Sequence, residues 1–496
     1  MTERDFDKLL EAAAEENFPD DIVREVTPWR KAMGNVIGGS GMCAITINFL
    51  NLNILLPTIG VILQLLGFRG LRRENRWFTA CWVLALLRAV LYLPTVVVNA
   101  TIYRGVFYER FYQDMTAVSL VTQLLLFFCL WRGLWAAQRR ASLPVKASSA
   151  GALLVWYLVV TALAWMEYSG WIVAILMLVC YVCILKSLSR LSQEMEEGGY
   201  AIQPARVRIS DGAVVKGILI FLAVGITCGY LFFGSYPMDW RLEGGRLSAE
   251  VVEIRDELLA LGYPEGALQD LSEEDILACR GALQVVVHET DEPVNDGREV
   301  RETWGNHTQV STVYDVKELH MTDVAVELPG EREHWKIFHH FLWTVNPGFR
   351  GTESLQLWPA YTHFEGWAPE GQPTGRVLYD NPKGLTCSAP FYSLGTESYH
   401  TQSFLWGEQQ VSDLFAVFSL PSRGEDQRGY VSYGIVVNRP GYIINSWINY
   451  THQESRLQYP VLTARESRKR GGWNRSFPFV TVQNALQFFL RRMEST

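Results

Sequence analysis

All nine histidines of this 496-residue chain lie beyond residue 287, and three of them, His334, His339 and His340, fall within one short stretch. Histidines bind zinc when spaced as HExxH on a helix or joined to CxxC pairs; HExxH is absent and no CxxC pair accompanies these three. On a strand, neighbouring side chains point to opposite faces, so His339 and His340 would not grip one ion. No metal and no other cofactor is expected. Nucleophilic catalysis has no foothold either, because the chain carries no GxSxG elbow, no SxxK and no Cys/His signature. Glycoside hydrolysis needs only two carboxylates at the correct separation, for which Glu353, Glu365, Glu397, Glu408 and Asp413 are available, but their number alone singles out no pair.

Recognition chemistry is better represented. The segments between apolar runs hold Trp358, Tyr361, His363, Trp367, Trp406 and Trp473. Aromatic rings beside polar groups are what a sugar or peptide ligand needs, through stacking and a few directed hydrogen bonds, so these six are the candidate ligand-binding residues. A second candidate set is intramembrane. Arg88 sits deep in an apolar run, where a charge costs about 2.5–3.5 kcal/mol unless it is paired or snorkels to the interface. Asn48, Asn51, Gln64 and Gln123 are possible partners for it, as in a transport pathway. No Asp or Glu lies inside any span, which favours snorkelling over transport.

These residues need two kinds of element to position them. A bilayer core takes about 20 apolar residues per helix. Six stretches qualify: Cys43–Leu66, Phe78–Ile102, Met115–Trp135, Ser148–Met166, Gly170–Lys186 and Val214–Gly234. The first lies in an apolar run, 36–68, interrupted by Asn48, Asn51, Asn53 and Pro57. That run reads either as one span or as a broken, re-entrant hairpin, and the choice decides which side the N-terminal arm occupies. Three basic clusters, Arg69 to Arg76, Arg132 to Lys146 and Lys186 to Arg208, mark cytoplasmic loops by the positive-inside rule. The sixth span then carries the chain out. Loop 186–213 would be open to an intracellular partner. In the last span Gly225 and Gly229 form a small-xxx-small face suited to close packing within the bundle.

Residues 1–236 hold 21 Lys/Arg against 17 Asp/Glu, and the remaining 260 hold 23 against 35. An acidic tail lacks the basic stripe that nucleic acid requires. After the membrane, Ser248 to Leu261 and a second segment opened by Ser272 and Asp275 read as capped helices forming a short spacer. From Leu283 onward, apolar and polar residues alternate between Gly, Pro, Asn and Asp clusters, as in the short strands of a β-sandwich or jelly roll. Within it, Trp335, Ile337, His339, Phe341 and Trp343 share one face and read as core. A final amphipathic helix is expected over Val480–Arg491. Cys279 and Cys387 could form one disulfide if this part faces an oxidising space, but a pair so far apart in sequence is no disulfide framework.

The stretches DDIVREVTPWRKAM (Asp20–Met33) and LGFRGLRRENRWF (Leu66–Phe78) resemble a group of uncharacterised multi-spanning membrane proteins from anaerobic Gram-positive bacteria. The resemblance covers roughly the first hundred residues. It implies a bacterial cytoplasmic-membrane setting and no activity. The expected organisation is an acidic arm (1–35), a membrane bundle of about six spans (36–236), a helical spacer (237–285) and a β-rich extracytoplasmic domain (286–496). The bilayer is its first partner, with an envelope polysaccharide or peptide as ligand of the tail. A transporter or membrane enzyme acting through the bundle, and an extracytoplasmic hydrolase, are the alternatives.

Overall fold

The computed structural model describes residues 27–489 except 45–48, 50, 145–146, 169, 203–207, 246, 359–365, 404–406, 440–442, 456 and 471–474. The chain forms two compact units, one of Met1–Val97 with Phe107–Ile226, the other of Val98–Val106 with Thr227–Thr496.

Among the described residues seven helices make up most of the first unit: α1 (Pro28–Ala44), α2 (Leu52–Leu71), α3 (Arg76–Val98), α4 (Arg104–Arg140), α5 (Ser148–Trp165), α6 (Trp171–Glu197) and α7 (Asp211–Phe232). The six from α2 to α7 are long and apolar enough to cross a bilayer. The interrupted first run is a hairpin of α1 and α2. Its helices touch through glycines: a Cβ on Gly39 would lie 2.7 Å from the Gly60 carbonyl, and one on Gly67 would lie 2.7 Å from the Ala32 carbonyl. Backbones approach this closely only where side chains vanish. The start of α1 therefore lies at the end of the bundle that carries the basic turns. There Trp29 Nε1 donates to the Ser192 carbonyl at 3.1 Å, Thr27 Oγ1 to Glu196 Oε1 at 2.7 Å and Tyr200 OH to Glu74 Oε2 at 3.1 Å. Arg69 reaches Asp211, at the start of α7, at 3.2 Å.

Two helices outrun their apolar segments. The connection expected between Tyr103 and Asp114 is the first part of α4, because its charged residues interrupt hydropathy without interrupting helix propensity. Likewise α6 continues through Ser192 and Met195, both buried, so much of the expected 186–213 loop is occupied in internal packing. Gly225 packs on Val97, as the small-residue face requires.

The second unit is a two-sheet sandwich. One antiparallel sheet runs β1 (Arg241–Leu242), β9 (Thr386–Pro390), β8 (Trp367–Asp380), β12 (Glu425–Val437), β6 (His334–Trp343), β5 (Leu319–Leu328), β2 (Gln284–Glu292). The other runs β10 (Ser393–Ser403), β11 (Gly407–Phe418), β7 (Glu353–Trp358), β13 (Ile443–Gln453), β15 (Phe479–Phe489), β14 (Arg475–Ser476). Between β2 and β5, β3 (Arg298–Trp304) and β4 (His307–Val313) form a separate hairpin. The core lies between the large sheets, where Trp335, Ile337, Phe341 and Trp343 of β6 meet Leu355 and Leu357 of β7 and Ile444, Ile448 and Tyr450 of β13. The one-faced aromatic row is thus core, as its alternation requires.

Two expectations are corrected. Val480–Arg491 is not a helix: β15 occupies most of it, paired to β13 from Ile443↔Phe489 to Gln453↔Phe479. Val482, Leu486 and Phe489 share one face at the helical period while Val480, Val482, Leu486 and Phe488 share one at the strand period, and a neighbouring strand in need of a partner selects the strand. Trp367 is not in a loop; it opens β8 and is 2% exposed, inside the core. Cys279 and Cys387 are both buried and unbridged.

The spacer helices α8 (Ala249–Ala260), α9 (Glu265–Gln269) and α10 (Glu273–Leu277) lie on the outer face of the seven-stranded sheet, sharing a cluster with Val324, Val326, Phe338 and Tyr430. Ser248 and Ser272 cap α8 and α10 as expected. Asp275 of α10, 1% exposed, accepts from Lys336 Nζ (2.7 Å), Thr374 Oγ1 (2.7 Å) and Tyr430 OH (2.5 Å), pinning the helical layer to three strands.

Candidate functional site

The strand order leaves two sheet edges side by side. β14 covers only the first residues of β15, pairing Arg475 with Val480 and Ser476 with Phe479, while β2 ends the other sheet. Among the described residues the rest of β15 is therefore an open edge. Between it and β2 lies a groove of about 510 Å³, bounded by Trp447, Gln483, Asn484, Ala485 and Gln487 and, across the seam, by Val286 and His288. Trp447, half-buried, stands on the outward face of β13 with the small Ala485 as its cross-strand neighbour. On its other side Trp447 stacks on Trp358 of β7, ring centroids 5.8 Å apart and planes 27° from parallel.

A row of amides runs next to the tryptophan pair. Gln356 and Asn449 side chains meet at 2.9 Å, and Asn449 and Gln483 at 3.2 Å. Beyond Gln356, Tyr399 OH donates to Asp413 Oδ2 at 2.6 Å, and Gln356 Nε2 donates to the same oxygen at 2.7 Å. Burial first, then Asp413, pushes the Tyr399 phenol well up, so it stays a donor. The helix α11 (Ala464–Lys469) lies over this part of the sheet. Its Arg465 and Lys469 grip Glu397; burial would raise that carboxyl, but the two cations hold it below the ordinary range.

Behind the groove a hydrogen-bonded chain enters the core. Asn484 Nδ2 donates to Asp323 Oδ2 (2.8 Å), Asp323 Oδ1 meets His339 Nδ1 (2.7 Å), and His339 Nε2 meets Ser446 Oγ (2.6 Å), which also contacts Tyr433 OH. The order Ser–His–Asp is that of a hydrolytic triad. Ser446, His339 and Asp323 are each 0% exposed, however, so no acyl group reaches the hydroxyl and the chain supports the groove wall instead.

Of the expected ligand residues, Trp358 belongs to this site and Trp367 is core, while Tyr361, His363, Trp406 and Trp473 lie outside the described residues. The sequence reading missed Trp447, Gln483, Gln487 and His288. The signal was present: Trp447 alternates with inward Ser446 and Ile448, and Gln483, Ala485 and Gln487 form an outward face once β15 is read as a strand. The carboxylates are dispersed. Glu353 is fully buried against His452 (2.8 Å), Glu397 and Asp413 are already partnered, Glu365 lies outside the described residues, and so does the side chain of Glu408.

No family model, curated protein or solved structure matches this chain. The site must be read from its own geometry.

A second cleft, about 370 Å³, lies on the outer face of the seven-stranded sheet among Asp270, His320, His340, Asp380 and Arg428. Its charges satisfy one another: Asp270 meets His340 and Arg428, each at 2.8 Å, and His320 meets Asp291 at 2.7 Å. Among the described residues no group of three or more His, Cys, Asp or Glu side chains is arranged to hold a metal ion. His334 pairs with Glu370, and His339 and His340 point to opposite faces of β6. In the bundle Arg88 meets Gln64 and Gln123, two of its expected partners. Asn51 stands apart from it at the start of α2, and Asn48 lies outside the described residues.

Proposed function

We propose that this chain is an integral membrane protein presenting its β-sandwich outside the cytoplasm as a ligand-binding or sensing domain, and that the ligand is a polysaccharide of the envelope. The observation that carries the reading is the Trp358–Trp447 pair at the seam groove, with Gln483, Gln487 and His288 around it. Indole faces accept the apolar faces of pyranose rings, and amides supply paired donors and acceptors for hydroxyls. The extracytoplasmic placement is supported by the gathering of basic turns at one end of the bundle. A peptide is the second reading, favoured by the open edge of β15, which would take an added strand through main-chain hydrogen bonds.

Full-length protein in nanodiscs, titrated with envelope glycan fragments and with extended peptides, separates the two. Trp447→Ala should weaken glycan binding about tenfold, the equivalent of about 1.4 kcal/mol of stacking. Binding of neither ligand, or glycan affinity indifferent to Trp447→Ala, refutes the reading. The side is tested at the exposed Leu457: Leu457→Cys should react with an impermeant maleimide in intact cells, and reaction only after lysis reverses the topology.

A further inference from the structure

We propose that the bundle holds a binding site for an anionic amphiphile, with its acid group on Arg88 and its apolar body in the groove between α3 and α4. Arg88 is twelve residues into α3, about 18 Å at 1.5 Å per residue, which puts it near the middle of a bilayer core about 30 Å thick. The guanidinium is half-buried, and its Nη1 donates to Gln64 Oε1 (3.0 Å) and to Gln123 Oε1. Both acceptors are neutral amides, and among the described residues no carboxylate pairs with Arg88. Gln64 is itself fixed, its Nε2 donating to Ser40 Oγ at 3.0 Å. The amides orient the cation without neutralising it.

A cavity of about 290 Å³ opens beside this uncompensated charge, lined by Leu91, Tyr92, Met115 and Val118 and by Asp114 and Thr122. On α4, Asp114 is nine residues from Gln123, about 13 Å along the axis, so the cavity runs from the membrane middle toward the level where α4 leaves the apolar layer. A cationic inner end, with Thr122 beside it, and apolar walls match an amphiphile held acid-inward with its chain along Leu91, Met115 and Val118. The volume, near ten times the share of one water in the liquid, suits a head with a chain of medium length. A charge in hydrocarbon is stable when it meets a counter-charge, and the ligand supplies the one the chain does not.

The test uses the full chain in phosphatidylcholine nanodiscs and native mass spectrometry. In one arm sodium decanoate is titrated in; in the other, phosphatidylglycerol is mixed into the disc. Wild-type protein should retain one of the probes saturably, Arg88→Gln should bind it at least tenfold more weakly, and Val118→Trp, which fills the cavity and leaves the Arg88–glutamine contacts in place, should not retain it. Retention of decanoate alone identifies a free carboxylate, and retention of phosphatidylglycerol alone a lipid headgroup; either supports the site. If Arg88→Gln fails to fold, Val118→Trp decides. Retention of neither probe, or equal retention by Val118→Trp, overturns the proposal.

Discussion

Replacing Asp323 tests whether the groove rests on the buried chain behind it. Asp323→Ala removes the acceptor for His339 Nδ1 at 2.7 Å and for Asn484 Nδ2 at 2.8 Å, in a place with 0% exposure where water cannot substitute. Each stranded donor costs about 1–3 kcal/mol, so the loss should be about 4 kcal/mol. For a unit of this size 1 kcal/mol moves the melting temperature by about 2–4 °C, which gives a fall of about 12 °C. Asp323→Asn keeps an oxygen for His339 and turns an amide group toward Asn484, so it should lose about half as much. Asp315→Ala is the control: its ion pair with Arg298 is exposed on both sides and worth about 0–1 kcal/mol. Thermal unfolding of the full chain in detergent, followed by tryptophan fluorescence, reads all three. Because Asn484 lines the groove, Asp323→Ala should also weaken the ligand at temperatures where the fold is intact. A variant melting within 2 °C of wild type, or an Asn variant less stable than the Ala variant, would refute the account of a connected support.

Asp275 carries a pH dependence. Burial pushes its carboxyl up, but Lys336 alongside, with Thr374 and Tyr430, outweighs burial and holds it below the ordinary range. A depressed folded value stabilises above the unfolded carboxylate value near 3.9, and that contribution disappears as pH falls through the folded one. Asp275→Asn should therefore cost about 3 kcal/mol at pH 7, chiefly by leaving Lys336 unpaired, and the gap to wild type should close below about pH 4 in parallel melts. The tryptophans should divide by role: Trp367→Ala is expected to cost about 3–5 kcal/mol of stability through its core cavity. Trp447→Ala should shift the melt by less than a third of that while losing ligand, and the reverse pattern in paired melting and binding assays would contradict the placement of the groove.

The membrane half was legible because lipid imposes one demand, about 20 apolar residues, that composition displays directly. Helix ends were less legible, since α4 and α6 continue as helices through residues that leave the apolar layer. The sandwich was visible in alternation, and β6 was read with the correct face inward. What failed was the last strand. A twelve-residue amphipathic segment satisfies both periods, and only the unpaired edge of β13 decides between them, a non-local fact. That one misreading also hid the groove, because Gln483, Ala485 and Gln487 line up only in a strand. Trp358 was found by residue type; Trp447, its neighbour through register, was not. Arg88 shows the reverse case, since polarity inside the apolar runs was enough to name Gln64 and Gln123 among its possible partners.

The boundaries of the β unit argue against testing the groove on a soluble tail. The unit includes Val98–Val106 and the end of α7. Within it Val461 N donates to the Asn99 carbonyl at 2.8 Å, Ile102 N to the Phe233 carbonyl at 3.0 Å, and Tyr230 OH to the Gln458 carbonyl. Ile102 and Tyr236, both buried, pack with Val417 and Val461. A fragment of residues 237–496 loses all of these first partners. Burying one side chain such as Ile102 is worth about 1.5–3 kcal/mol, and the stranded Val461 amide adds about 1–3 kcal/mol, so the fragment should lose about 5 kcal/mol and expose Val417 and Val461. It should bind a hydrophobic dye, self-associate and melt at least 10 °C below the same unit in the full chain. A monomeric fragment with an unchanged melt would show that the juxtamembrane contacts contribute nothing. The sandwich would then be an independent module hung from the membrane. The expected destabilisation would instead make the ends of α3 and α7 and the start of α4 integral to the folding of the sandwich unit.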